Sequence, residues 1–535
     1  MQFITTSLLA LSFNSAAFGV ASTDFKSRCE ALGQGVEVPG YDGLSVGITQ
    51  FLAKDSVIDQ FAEGTNATCA LPNPVVPVDL CRLALRAPTS NASEIHMEVW
   101  LPEQWNSRFL AVGTGGLAGC IFYQDLAYVT AYGFASVSSD SGHSGGSAGA
   151  FLNQPQVFED FVWRSLYAST VIGKEVTKQL YGTPHKKSYY MGCSQGGRQG
   201  FKAAQSNPEL FDGIVAGAPG LRLPGLFEHM TRWLLDIGTD TNNTTVSLTK
   251  WSAVQNETLR QCDPLDGATD GIVEDTRRCN PDLSKLECGK EGAPKVCLTP
   301  KDLSLITQFF TPWSVNSTLI YPGMAHNGDE LVHATTLSSA DPLTFALEWH
   351  RFVTRKDPTW TLAQWTPADA LFAVQQNWFN FNTYEGDLSA FRDRGAKIIH
   401  YHGQNDQLLD STVSDGYYEH VAHTMHASPT DLDAFYRYFR ISGLQHCQGG
   451  PGASSIGQSG APPPAGAAPE DNVLLKIVEW VEEGKAPETV RGAKFVDGDA
   501  AKGVEYKRRH CRYPLRNVYE GSGDGKDEEG WRCVE

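Results

Sequence analysis

The sequence predicts an α/β fold interrupted by one large insertion, on three observations. From about residue 108, short apolar runs alternate with small-residue turns and helical patterns. One of those runs ends in a Gly-x-Ser-x-Gly turn that opens a helical pattern. The rhythm lapses between about residues 218 and 395 and then resumes. At roughly 150 residues per domain, a chain of 535 residues is several domains or one core with long additions. Its 41% hydrophobic and 19% charged residues, with 52 Gly and 28 Pro, exclude wholesale disorder and collagen-like repeats. The net charge of −18 argues against a nonspecific nucleic-acid binder.

Residues 1–21 start polar, pass through Leu8-Leu9-Ala10-Leu11 and end in small residues around Gly19-Val20-Ala21. That is the pattern of a secretory signal peptide cleaved after Ala21, although no Lys or Arg stands near its start. No later run reaches the roughly 18 to 20 apolar residues of a membrane helix, so a soluble mature protein with no membrane partner is expected. The 12 cysteines are an even number, suited to six disulfides in an oxidising compartment. Asn-x-Ser/Thr sequons at Asn66, Asn91, Asn242, Asn243, Asn256 and Asn316 would be surface glycosylation sites in a eukaryote. Together these features predict a secreted, extracellular protein.

Strands are expected at 109–112, 134–138, 188–191, 213–216, 397–401 and 436–441. Phe158, Phe161, Val162, Leu166, Val171, Ile172 and Val176 recur at helical spacing, which predicts a core helix over 158–180 stopped at Gly182. The stretch without strand rhythm holds four cysteines and many tryptophans and reads as an inserted lid, because long additions to surface loops cost little chain entropy. Gly, Pro, Ala and Ser mark 448–470 as loop, and a helix over 473–483 ends at Gly484.

The most specific string is Met191-Gly192-Cys193-Ser194-Gln195-Gly196-Gly197. A serine hydroxyl attacks well only when a sharp turn lifts it out of the sheet beside a base, and the crowded backbone there demands small neighbours. Ser194 is therefore the candidate nucleophile. An oxyanion hole would use the backbone N–H of Gln195 and one from Gly113-Thr114-Gly115-Gly116, with Gly115 and Gly116 the named candidates.

After such a serine the chain order runs to an acid behind a late strand and then to a histidine. Ile398-Ile399-His400-Tyr401-His402-Gly403-Gln404-Asn405-Asp406 places Asp406 at a strand's end, with Asp410 the nearest rival. His446 follows the strand over 436–441 and is the candidate base; His400 and His402 read as strand residues, and His420, His423 and His426 as helix surface. Cysteines adjoin both Ser194 and His446. If Cys193 pairs with Cys447, bridged Cα atoms roughly 4.4 to 6.8 Å apart would hold serine and histidine within reach. Spacing alone leaves that pairing open.

Gly192-Cys193-Ser194-Gln195-Gly196 with His446-Cys447 resembles the tannase and feruloyl esterase family of secreted fungal enzymes, and the similarity spans nearly all the mature chain. The resemblance implies an α/β-hydrolase fold in which Ser194, Asp406 and His446 form the triad. It divides the chain into signal (1–21), catalytic domain (22–219 and 396–535) and lid (220–395). It implies the bridges Cys193–Cys447, Cys262–Cys279, Cys288–Cys297 and Cys511–Cys533, and leaves Cys29, Cys69, Cys81 and Cys120 to form two more.

Between Cys262 and Cys279, Asp263-Pro264-Leu265-Asp266-Gly267-Ala268-Thr269-Asp270-Gly271-Ile272 sets three carboxylates in a short glycine-bearing loop. Calcium takes six to eight oxygens from carboxylates and carbonyls, but the spacing is not that of an EF-hand, and the residues alone favour an Asp-rich turn. The resemblance implies a structural Ca2+ held by Asp263, Asp266, Asp270 and the carbonyls of Ala268 and Ile272, with no organic cofactor. Arg277-Arg278 nearby is either a processing site or a pair of surface arginines.

The activity implied is hydrolysis of feruloyl, p-coumaroyl and caffeoyl esters, as small phenolic esters or on cell-wall oligosaccharides, through an acyl-enzyme. The alternatives are a tannase acting on galloyl esters and, more remotely, a non-catalytic phenolic or carbohydrate binder.

Overall fold

Nine strands form one mixed sheet: β1 (Ser45–Leu52), β2 (Leu80–Pro88), β3 (Glu94–Pro102), β4 (Arg108–Val112), β5 (Ala135–Ser139), β6 (Lys187–Cys193), β7 (Gly213–Gly217), β8 (Lys397–Gly403) and β9 (Tyr436–Ile441). The computed structural model describes residues 24–235, 246–460, 464 and 466–535. The signal reading at 1–21 and the sequons at Asn242 and Asn243 lie outside them.

The strand order is β1-β2-β3-β5-β4-β6-β7-β8-β9. From β5 onward neighbouring strands run parallel, while β1, β2 and β3 pair antiparallel and β3 joins β5 antiparallel. Every strand anticipated from the sequence is present, within two residues at each end. The three antiparallel strands were not anticipated: charged residues break the apolar pattern of β2 and β3, and β1 interleaves Gly47, Thr49 and Gln50 among its apolar residues. Arg82 on β2 and Glu98 on β3 are fully buried, and they pair inside the sheet, Arg82 Nε donating to Glu98 Oε2 at 2.9 Å. A buried charge is tolerated when paired and hydrogen-bonded, so these strands are core despite their composition.

The expected helix over 158–180 begins earlier and is built in pieces: a turn at Pro155–Glu159, one wider π-helical turn at Asp160–Arg164, then α1 (Ser165–Tyr181). Gly182 ends it at φ 72°, a conformation that costs glycine least. Helix α2 (Gln195–Ser206) follows β6 directly. Near the C-terminus, helix α3 (Val473–Glu483) has the expected bounds, with the Asn472 side chain accepting from Leu474 N and Leu475 N. Its Val473, Leu474, Ile477 and Val478 are buried in a cluster with Tyr189, Val215 and Ile399 of the sheet.

Between β7 and β8 the described chain adds no strand to the main sheet. It holds helices such as Leu223–Trp233, Leu248–Cys262 and Ala340–Glu348, and a hairpin of Trp313–Val315 with Thr318–Tyr321. Two further hairpins close the C-terminus, Thr489–Phe495 with Val504–Cys511 and Arg516–Tyr519 with Trp531–Val534. All 12 cysteines are bridged: the four pairs implied by the resemblance form, and Cys29–Cys81 and Cys69–Cys120 are the two left open.

Candidate active site

Ser194 stands in the turn between β6 and α2 at φ 63°, ψ −123°, a backbone conformation that a side chain rarely adopts. Ser194 N donates to Gly217 O and Gly220 N donates to Ser194 O, both at 3.0 Å, so β7 and its following turn hold the strained residue on both sides. The flanking glycines are dictated by close approach: a Cβ on Gly113 would lie 2.6 Å from Gly196 Cα, and one on Gly197 would lie 2.2 Å from Gly217 O. The Gly113–Gly116 loop is thereby pressed against the start of α2. Thr114 N donates to Gln199 Oε1 at 3.1 Å. The N–H groups of Gly115 and Gly116 meet no protein acceptor among the described residues. Gln195 N is in the first turn of α2, where no intrahelical partner exists.

The structure brings Asp406 and His446 to this serine. His446 Nε2 is 2.9 Å from Ser194 Oγ, and His446 Nδ1 is 2.7 Å from Asp406 Oδ2. His446 Nδ1 therefore donates to the carboxylate, leaving Nε2 to accept from the serine hydroxyl. Asp406 is fully buried, whereas the His446 side chain keeps 15% of its surface exposed. Leu408 N and Leu409 N donate to Asp406 Oδ1 at 2.9 and 2.8 Å. Burial pushes the Asp406 carboxyl upward, but the adjacent His446 charge and the hydrogen bonds from His402 and His446 outweigh it and hold the group well below the usual carboxylate range. The rival Asp410 accepts instead from Ala325 N at 2.7 Å and Thr412 N at 2.8 Å, away from the imidazole. The Cys193–Cys447 bridge joins the residues adjoining Ser194 and His446, with Cα atoms 5.9 Å apart.

The inserted segment packs on this site from above. Asn327 Nδ2 donates to Gln404 O at 3.1 Å and Gln445 Nε2 to Asp329 Oδ2 at 3.0 Å, so residues 325–329 grip both the acid loop and the base loop. A Cβ on Gly116 would lie 3.4 Å from the Phe345 ring, which sets an aromatic side chain of the insertion over the candidate oxyanion loop.

Of the other histidines, His420 and His423 lie on the helix Thr412–Thr424 as read, whereas His426 lies two residues beyond it at φ 51°, where the helical turn has ended. His400 and His402 are strand residues and both are fully buried. The sequence reading missed that His402 Nε2 lies 3.1 Å from Asp406 Oδ2. Two histidines two positions apart share one face of a strand, and that spacing was the available signal.

In the loop 263–272, Asp263 Oδ1 and Oδ2 accept from Asp270 N and Gly271 N, and Asp266 Oδ1 accepts from Ala268 N at 2.8 Å. Arg508 Nη2 donates to Asp270 Oδ2 at 2.6 Å and Arg508 Nη1 to Glu274 Oε2 at 3.2 Å. Burial, with Glu274 and Asp270 close by, pushes the Asp266 carboxyl up to about 8, and burial raises Asp263. One arginine against this many acids leaves a surplus of negative oxygen, which fits a hard cation in kind. Among the described residues, no three His, Cys, Asp or Glu side chains converge closely enough to hold a metal, so carbonyls such as those of Ala268 and Ile272 would have to complete a shell. Arg277 pairs with Glu419 at 2.8 Å and with the Tyr513 hydroxyl, which fits a surface arginine.

The family model described as "Tannase and feruloyl esterase" matches residues 81–348 and 366–534. A protein named probable feruloyl esterase B-2, from Aspergillus oryzae, is 42% identical over 98% of each chain. The crystal structure of feruloyl esterase B from Aspergillus oryzae superposes with a TM-score of 0.88 at 41% identity, over 96% of this chain and 100% of that one. Tannin acyl hydrolase from Aspergillus niger shares the fold, with a TM-score of 0.71 at 21% identity over 95% of each chain.

Proposed function

The chain belongs to the tannase and feruloyl esterase family and is a carboxylic ester hydrolase, and from that premise we propose that it is a secreted serine esterase releasing ferulic and related hydroxycinnamic acids from plant cell-wall esters. One observation carries the chemistry: Ser194 Oγ, His446 and Asp406 stand in a hydrogen-bonded line of 2.9 and 2.7 Å. In this reading, Ser194 Oγ attacks the ester carbonyl while His446 Nε2 takes its proton, and Asp406 stabilises the imidazolium. N–H groups of Gln195 and of Gly115 or Gly116 receive the oxyanion. The imidazolium protonates the departing alcohol, leaving Ser194 acylated. Water, deprotonated by the same imidazole, adds to the acyl carbonyl, and the imidazolium returns the proton to Ser194 Oγ as the acid departs.

The acyl preference is supported by the relatives named as feruloyl esterases, and Phe345 over Gly116 supplies a surface for a planar ring. Six disulfides and the exposure of Asn66, Asn91, Asn256 and Asn316 support export and glycosylation. A structural Ca2+ in the loop 263–272 would have to draw together Asp263, Asp266 and Asp270, which do not converge as they stand, with the carbonyls of Ala268 and Ile272; the crowding of acids there supports it. It would neutralise the loop and lies outside the chemistry.

The test is the initial rate on methyl ferulate, methyl p-coumarate, methyl caffeate and methyl gallate, with Ser194→Ala as control. Cinnamate hydrolysis lost in the variant is expected. A preference for gallate would make the enzyme a tannase, and inactivity on all four would overturn the reading.

A further inference from the structure

Behind Asp406 lies a line of buried polar side chains that the triad itself does not require. His402 Nε2 is 3.1 Å from Asp406 Oδ2 and 2.9 Å from Leu409 O. His402 Nδ1 is 2.6 Å from Ser414 Oγ, Ser414 Oγ is 2.8 Å from His400 Nε2, and His400 Nδ1 is 2.9 Å from the Tyr436 hydroxyl. His400, His402, Ser414 and Tyr436 are each 0% exposed.

The proton positions follow from the partners. His402 Nε2 faces two acceptors, a carboxylate and a carbonyl, so it carries the hydrogen. With that hydrogen on Nε2, the ring meets Ser414 through Nδ1 as an acceptor. The nearest donor to Nδ1 is the Ser414 hydroxyl. Ser414, having given its hydrogen to His402, accepts from His400 Nε2–H, and His400 Nδ1 accepts from Tyr436 O–H. Every hydrogen in the line then points toward the catalytic carboxylate, an arrangement in which successive bonds polarise one another.

We propose that His402 is a positioning residue for the reaction: an N–H donor, locked in its Nε2–H tautomer by Ser414, His400 and Tyr436, that fixes Asp406 Oδ2 against His446. Asp406 then has donors on every side, Leu408 N and Leu409 N on Oδ1 and His446 Nδ1 and His402 Nε2 on Oδ2. Without His402, Oδ2 has one donor, and nothing else on that side holds the carboxylate plane. The two histidines share Ser414 because residues 400 and 402 lie on one face of β8, while the helix that begins at Thr412 brings Ser414 beneath them.

This inference rests on the triad reading, and the experiment separates the two. Kinetic constants on the preferred ester of the four above are measured, with melting temperatures, for His402→Leu, His402→Gln, Ser414→Ala and Asp406→Asn. His402→Leu is expected to lower kcat about 10- to 100-fold, the loss of one charge-assisted hydrogen bond expressed as a rate, with KM unchanged within about twofold. His402→Gln places an amide N–H where Nε2–H stood and should recover most of the lost kcat. Ser414→Ala frees the tautomer and should lower kcat a few-fold. A folded His402→Leu with the kcat of the unmodified enzyme, or a His402→Gln no better than His402→Leu, overturns the proposal. Should His402→Leu fail to fold, Ser414→Ala decides, and an unchanged kcat there overturns it. Activity retained in Asp406→Asn would sink the triad reading itself. Loss there beside an unaffected His402→Leu would sink this proposal alone.

Discussion

Asp406 and Asp266 are both buried aspartates in loops, 1% and 6% exposed, yet their environments drive them in opposite directions. Asp406 is held well below the usual carboxylate range, and Asp266 is pushed up to about 8. The difference lies in what surrounds them. Asp406 has N–H groups on both oxygens, one of them from the His446 ring. Asp266 takes one hydrogen bond, from Ala268 N, and faces Glu274 and Asp270. Burial penalises a charge in either place, and the supply of donors and opposite charge decides whether the charge survives. The acid loop carries its own compensation, whereas the loop 263–272 leaves room for a cation to supply it.

The sharpest way to break this comparison is Asp406→Asn. It keeps the shape of the acid but replaces the carboxylate with an amide, and kcat should fall about 10³- to 10⁴-fold, with a lower melting temperature because an amide NH2 cannot accept from the donors around it. A loss under tenfold would mean that the compensated carboxylate is not the one in use.

Next in size is calcium removal. A bound ion at about 100 times its Kd contributes roughly 2.7 kcal/mol, or about 2 to 3 °C if this chain of 535 residues unfolds as one unit. Chelation should lower the melting temperature by that much and calcium should restore it, with kcat on the chelated but folded enzyme little altered. No shift in melting temperature would remove the ion from the account.

A smaller effect sharpens the pH side. Asp266, raised in the fold to about 8 against about 4 in an unfolded chain, holds its proton more tightly when native. Its contribution to stability is full below about pH 4 and declines as pH rises through about 8. In chelated protein the melting temperature should fall over that window more steeply for the native sequence than for Asp266→Asn, and calcium should flatten the difference. Asp406 has the opposite sign, its contribution being present above about pH 4 and lost on acidification. Parallel curves for the chelated native and Asp266→Asn proteins would show that Asp266 ionises normally.

The parallel strands and the nucleophile turn were legible because each is a local pattern: an apolar run, a glycine-bounded serine, a helix stop. Asp406 and His446 were legible at one remove, since chain order and strand ends restricted the candidates. The strands around Arg82 and Glu98 were not, because a salt bridge between neighbouring strands looks, in one dimension, like two surface charges. His402 was passed over for the same reason, since its partner Asp406 belongs to the loop beyond the strand and Ser414 to the next helix.

The sequence by itself determined that a serine would be raised on a strained turn, because Gly192, Gly196 and Gly197 admit the backbone contacts that such a turn makes. Its twelve cysteines and its sequons pointed as well to an oxidising compartment, an expectation that six bridges fit. Only the tertiary structure decided between Asp406 and Asp410, which differ by four positions in sequence but face His446 and Ala325 respectively. Only the tertiary structure paired Cys29 with Cys81 and Cys69 with Cys120, and aligned His402, Ser414, His400 and Tyr436 behind the acid. The physical reason is common to all three: a hydrogen bond or a bridge is set by distances of a few ångströms between residues that the sheet and its helices bring together, and one-dimensional spacing does not encode those distances.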